Sequence, residues 1–164
     1  MKACTSIFVA PNHPPSRSPF LVVSSAQQLY ALPLALVAET MRPLPIRKLE
    51  PSVEGVTGVS RIRGHAVPVI DLGNLVKHSS EEPLQSSRRF VSMKSGSRTF
   101  ALAVDSVFGI HEFDPAQAQE LPALLQVNPS VRATTEIHHE LVFYIEPIRL
   151  VPVAMWEQMK DITG

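Results

Sequence analysis

Two short clusters concentrate the polar chemistry of this chain. The first is Arg61, Arg63 and His65, three basic side chains crowded into SRIRGHAVPVIDL. A guanidinium in such a place can fork onto carboxylates or backbone carbonyls of a partner. The second is His138-His139-Glu140, whose residue types are those of metal ligands. In a strand, adjacent side chains point to opposite faces, so His138 and His139 could not easily share one ion. A turn would relax that constraint, but no third ligand clusters with them, and no metal or other cofactor is expected. Asp71 closes an apolar run and is placed to cap a short helix through Leu75 and Val76. Gly55 and Gly58 make no phosphate loop, because a strand rather than a helix follows them. No nucleophile with its base, no GxSxG elbow and no paired carboxylates in a cleft pattern are present, so the expectation is a non-enzyme.

The elements that must position these side chains can be read from hydrophobic spacing. GVTGVSRIRGHAVPVIDLGNLV, residues 55–76, reads as strand, tight turn, strand and helix start. The turn falls at Arg63-Gly64, where glycine accepts the positive φ of a two-residue hairpin loop. Ala66, Val67, Val69, Ile70 and Leu72 are apolar at both parities, so this strand should be covered on both faces. Pro68 donates nothing to a ladder and should lie at an edge or bulge.

The unit recurs. At an offset of 75, IRGHAVPVIDLGNLV lies over IHHELVFYIEPIRLV: Ile62 meets Ile137, Val67 meets Val142, Ile70 meets Ile145, and Asp71 falls on Glu146. At an offset of 70, Phe20–Val37 lies over Phe90–Val107, with Tyr30 on Phe100 and Ala31-Leu32 on Ala101-Leu102. Two hairpin pairs in one order at nearly equal offsets predict two similar β subdomains. Between them, Leu34–Met41 reads as either a helical turn or a strand, and Pro115–Leu125 as a helix start broken at Pro122. Residues 1–19, with four prolines, read as a tail, and residues 20–162 as one domain of two halves, about 20–80 and 88–160, with elements possibly exchanged. A short final helix is expected over Val153–Met159.

With 164 residues, 45% of them hydrophobic, and 15 Lys plus Arg against 15 Asp plus Glu, the chain is globular and without a net field. Neither nucleic acid nor an anionic membrane would be drawn to its overall charge. No apolar run is long enough to span a bilayer. The lone Cys4 permits no internal disulfide, and the N-terminus lacks a signal-peptide core, so a cytoplasmic protein is expected.

GVSRIRGHAVPVIDL resembles the signature hairpin of the CheW family, the scaffold of bacterial chemosensory arrays. LYALPLALVAETMR, FALAVDSVFGI and ELVFYIEPIRL are similar to further family segments in the same order, so that the resemblance runs from about Phe20 to Met159. It implies an all-β fold of two SH3-like five-stranded β-barrels side by side. It also implies a non-catalytic adaptor that ties the regulatory domain of the histidine kinase CheA to the cytoplasmic tips of methyl-accepting chemoreceptors, beneath the inner membrane. By resemblance Arg63 is the receptor-contacting arginine, Arg61 beside it would extend that contact, and Val37 would meet an amphipathic receptor helix. A free-standing coupling protein, without a fused kinase or receiver module, is the expectation. Ser60 and Arg61 replace an apolar residue and an asparagine of the family pattern, which bears on which receptor is bound. The other readings are a specialised paralogue in a pilus or gliding pathway and a small β-barrel that binds or converts a ligand.

Overall fold

The computed structural model describes residues 17–50, 55–73, 88–121, 131–151 and 156–157. Most of them lie in strands: β1 (Ser18–Ser25), β2 (Gln28–Pro33), β3 (Val37–Met41), β4 (Ile46–Arg47), β5 (Gly58–Ile62), β6 (His65–Asp71), β7 (Arg89–Ser95), β8 (Arg98–Val104), β9 (Ser106–Phe113), β10 (Gln119–Glu120), β11 (Val131–Ile137) and β12 (Glu140–Ile145). A short α-helix, α1, spans Pro147–Leu150.

Two sheets form, each of five longer strands and a two-residue edge strand. The first runs β10-β11-β12-β2-β1-β9, and the second β4-β5-β6-β8-β7-β3. The orders match position by position, and so does the register. Tyr144 pairs in parallel with Ala31; their counterparts at the two repeat offsets, Val69 and Ala101, pair likewise. Phe20 faces His111 as Phe90 faces Met41. Even the bulge recurs, between Val107 and Gly109 against β1 and between Val37 and Glu39 against β7. The hairpins cross over: β1-β2 joins the C-terminal β11-β12 in one sheet, and β7-β8 joins β5-β6 in the other. The architecture is all-β, two SH3-like subdomains built from exchanged pieces.

Strand alternation sends one set of side chains into each subdomain and the other between them. Phe20, Val22, Ala31, Phe113, Val142 and Tyr144 fill the first subdomain. Ile62, Val67, Val69, Phe90, Ala101 and Ala103 fill the second. Leu21, Val23, Tyr30, Leu32, Ile70, Val91, Met93, Phe100 and Leu102 form the shared core between the sheets. That double burial is why the central strands are apolar at both parities. β6 obeys it from Val67 onward, but Ala66 and His65 are exposed at its hairpin end.

Several local expectations need correction. Leu34–Met41 is both of its alternatives in succession, a 3-10 turn over Leu34–Leu36 and then β3. Pro115–Gln117 is a 3-10 turn capped by Asp114, whose carboxylate accepts from the Ala116 amide. The edge strand β10 follows it where a helix was expected. Ser18 and Pro19, read as tail, pair with Phe113 and Glu112; residues 1–16 lie outside the described residues. Of the final helix, Trp156 and Glu157 are described and helical.

Candidate functional site

Arg63 and Gly64 are the two central residues of the β5–β6 turn, both at positive φ (51° and 82°), with Ile62 paired to His65. This backbone twist suits a two-residue hairpin loop. Ala26-Gln27 and His138-His139 adopt the same conformation, so it belongs to the turn type and is not strain peculiar to Arg63. The turn lifts the Arg63 guanidinium into solvent, where it donates from Nε and Nη2 to the two carboxylate oxygens of Glu39, at 2.8 and 2.7 Å. That hydrogen bond, with the arginine charge behind it, holds the Glu39 carboxyl below its ordinary range. Glu39 stands on β3, at the opposite end of the sheet from β5 and β4. The second sheet therefore curls until hairpin tip and edge strand meet.

Beneath this contact lies a groove of about 960 Å³. Glu39 and Ala38 form one side of it, Arg63, His65 and Ala66 another, and Lys94, Arg98 and Thr99 a third, with Trp156 against them. Val69 O accepts from Thr57 N, which turns Val69 toward β5 and Pro68 toward β8. The parallel ladder to β8 starts only at Val69, whereas the equivalent ladder in the first sheet starts two positions earlier, at Val142. Phe143, the counterpart of Pro68, retains its amide. The ladder thus begins just past Pro68, which has no amide to donate and itself lines the groove.

Of the residues singled out in the sequence, Arg63 is at the rim of this groove. Val37 is half-buried, pairs with Met93 and packs on the shared core, adjoining the groove residues Ala38 and Glu39 along β3. Arg61 is exposed on β5 opposite Ala66 and does not line the groove. His138 and His139 occupy a hairpin turn, not a strand, and His139 Nδ1 lies 3.4 Å from Glu136 Oε1. Among the described residues, no group of three His, Cys, Asp or Glu could hold a metal.

Sequence reading missed two features. Asp71 accepts from Arg88 Nη2 at 2.7 Å, both side chains being largely buried. Arg88 Nε also stands 3.7 Å from Asp105, whose carboxylate accepts from the Ala26 amide. This chain of charges ties the end of β6 to the β1–β2 turn of the other sheet. Leu72 and Gly73 begin a helical turn directly after Asp71; Leu75 and Val76 lie outside the described residues.

The second feature is electrostatic. The segments forming the second sheet carry Arg42, Arg47, Lys48, Arg61, Arg63, Arg88, Arg89, Lys94 and Arg98 against Glu39, Glu50 and Asp71. Those forming the first carry Asp105, Glu112, Asp114, Glu120, Glu136, Glu140 and Glu146 against Arg17, Arg132 and Arg149. Among the described residues, charge thus separates into a basic set on one sheet and an acidic set on the other, although the whole chain has zero net charge. The basic set lies in one continuous stretch, β3–β8, and a reading of charge segment by segment would have found it where the total for the whole chain does not. No helix among the described residues is long and apolar enough to cross a membrane.

Comparison with known proteins bears on this arrangement. The family model of the CheW-like domain matches residues 19–154. Among solved structures, the scaffolding protein CheW of Thermoanaerobacter tengcongensis superposes with a TM-score of 0.74 at 22% identity, covering 84% of this chain and 94% of that one. The curated proteins contain no match.

Proposed function

Because this chain belongs to the family of CheW-like domains, non-catalytic coupling scaffolds of chemotaxis, we propose that it joins the regulatory domain of the kinase CheA to the cytoplasmic tips of chemoreceptors. It would act in the cytoplasm, at arrays beneath the inner membrane. The observation that carries the receptor half of this reading is Arg63. It sits on a solvent-exposed hairpin tip, at the rim of a groove, with its donor fork already aimed at a carboxylate. A receptor-tip helix offering an acid would take up the same geometry. Val37, beside the groove wall, supplies apolar contact to that helix, and Arg61, exposed on β5 outside the groove, extends the contact beyond it.

Coupling of this kind works by mass action. A scaffold holding both partners raises the local concentration of kinase at the receptor without any new catalytic group. Binding titrations test it. Wild type should bind a receptor-tip fragment and, separately, the CheA regulatory domain. Arg63→Glu should lose at least tenfold in receptor affinity and keep its kinase affinity. Unchanged receptor affinity would remove Arg63 from the contact, and loss of both partners would make the turn structural.

A further inference from the structure

The internal repeat supplies a control for the groove, since the same packing is built twice with different surface residues. Arg63 and His65 correspond to His138 and Glu140 at the offset of 75, and Lys94 and Arg98 correspond to Ser24 and Gln28 at the offset of 70. The strand order, the register and the bulge are common to both sheets. Nothing in the fold therefore requires cations at these positions. They face one groove from two different hairpins, β5–β6 and β7–β8.

Arg98 also has a built setting. Its guanidinium carbon lies 5.4 Å from the centre of the Trp156 ring, and that ring stands edge-on to the buried Phe100 at 6.2 Å. A cation resting on an indole keeps its side chain extended and its outer N–H groups free of the ring. Lys94, paired with Thr99 near the tip of the same hairpin, is exposed and also lines the groove.

We propose that the groove is a two-walled cationic clamp for an acidic helical segment: Arg63 takes one carboxylate and the Lys94–Arg98 wall takes a second, across the segment's width. This rests on the reading of the groove as the receptor-tip site and adds to it a second set of specificity residues and a required charge pattern in the partner. The occupant is a segment with acids on two sides of its docked face. Charge complementarity selects it, because Arg63, His65, Lys94 and Arg98 face the groove against Glu39 and Glu157, within the basic half of the molecule. An acidic partner is also steered toward this half and away from the acidic one.

The test is a titration at low and high salt of the full chain against two probes. One is a chemoreceptor-tip fragment from the same genome; the other is a synthetic amphipathic helix with glutamates on both flanks of its apolar face. The double variant Lys94→Glu/Arg98→Glu should lose at least tenfold in affinity for both probes and bind with a shallower salt dependence. The charge-keeping Lys94→Arg/Arg98→Lys should stay within threefold of wild type. Lys48→Glu, a charge reversal directly after β4 and outside the groove with half the charge change of the double variant, should stay within twofold. If Arg63→Glu weakens the receptor fragment while Lys94→Glu/Arg98→Glu binds both probes like wild type, the second wall is refuted and the receptor reading stands. If the receptor fragment fails to bind wild type but the acidic helix binds and is lost in the double variant, the clamp stands and the receptor reading falls. If wild type binds neither probe, or if Lys48→Glu loses as much as the double variant, the clamp is refuted.

Discussion

The Arg63–Glu39 pair is open to water, so its worth lies in the position it gives the guanidinium and not in stability. Arg63→Glu should accordingly leave Tm within about 2 °C of wild type while changing binding. Arg88 is the opposite case. Removing it takes a charge-assisted donor from a buried Asp71, which typically costs about 3 kcal/mol. Arg88→Met should lower Tm by roughly 6–12 °C for a domain of this size, and adding Asp71→Asn should recover part of the loss in a double-mutant cycle. Additive losses would mean that the pair does not interact. Tyr30 gives a pH signature, since burial in the shared core raises its phenol to about 12. The folded pKa lies above the unfolded value of about 10, so the stabilisation is complete below pH 10 and fades as pH climbs toward 12. Urea melts between about pH 9 and 11.5 should show that decline, and Tyr30→Phe should flatten it. An equal decline in the variant would exclude Tyr30 as its source.

At the scale of elements, β6 carries the strongest demand for enclosure. Val67 is 3% exposed inside the second subdomain. Val67→Asp would bury an unpaired carboxylate at a cost of several kcal/mol, comparable to total stability. Loss of the cooperative melt is expected, and a soluble, cooperatively folded variant would show that the strand is less enclosed than its packing implies. This strand was legible from sequence because apolar residues at both parities have few explanations besides burial on both faces. The hairpin turns were legible for a similarly local reason. Pro115–Gln117 was misread because a helix-like composition was overruled by the pairing of Gln119 and Glu120 with Thr134 and Ala133, a contact from outside the segment. Glu39 was invisible as Arg63's partner for the same reason. Twenty-four positions separate them, and they meet only because the sheet curls. Pro68 could be placed at a weak point of the ladder, but not the groove that it lines.

At the scale of the molecule, duplication with exchange has two consequences. The first sheet is discontinuous, β1-β2 being separated from β9–β12 by residues 37–104, which supply the whole second sheet, and the shared core of Tyr30, Ile70, Phe100 and Leu102 holds the two together. The other consequence is the separation of charge, which composition conceals behind a net of zero. A scaffold with unlike faces can sort two partners, which is what coupling requires. Co-sedimentation of CheA with receptor-bearing membranes, across a range of concentrations of this protein, tests that coupling most directly. Little kinase is expected in the pellet without the protein, with a rise on adding it and a fall at high excess as separate copies occupy each partner. Arg63→Glu should abolish the rise while still binding kinase in the supernatant. Kinase recruitment that is unaffected by the protein, or that Arg63→Glu supports as well as wild type, would contradict it.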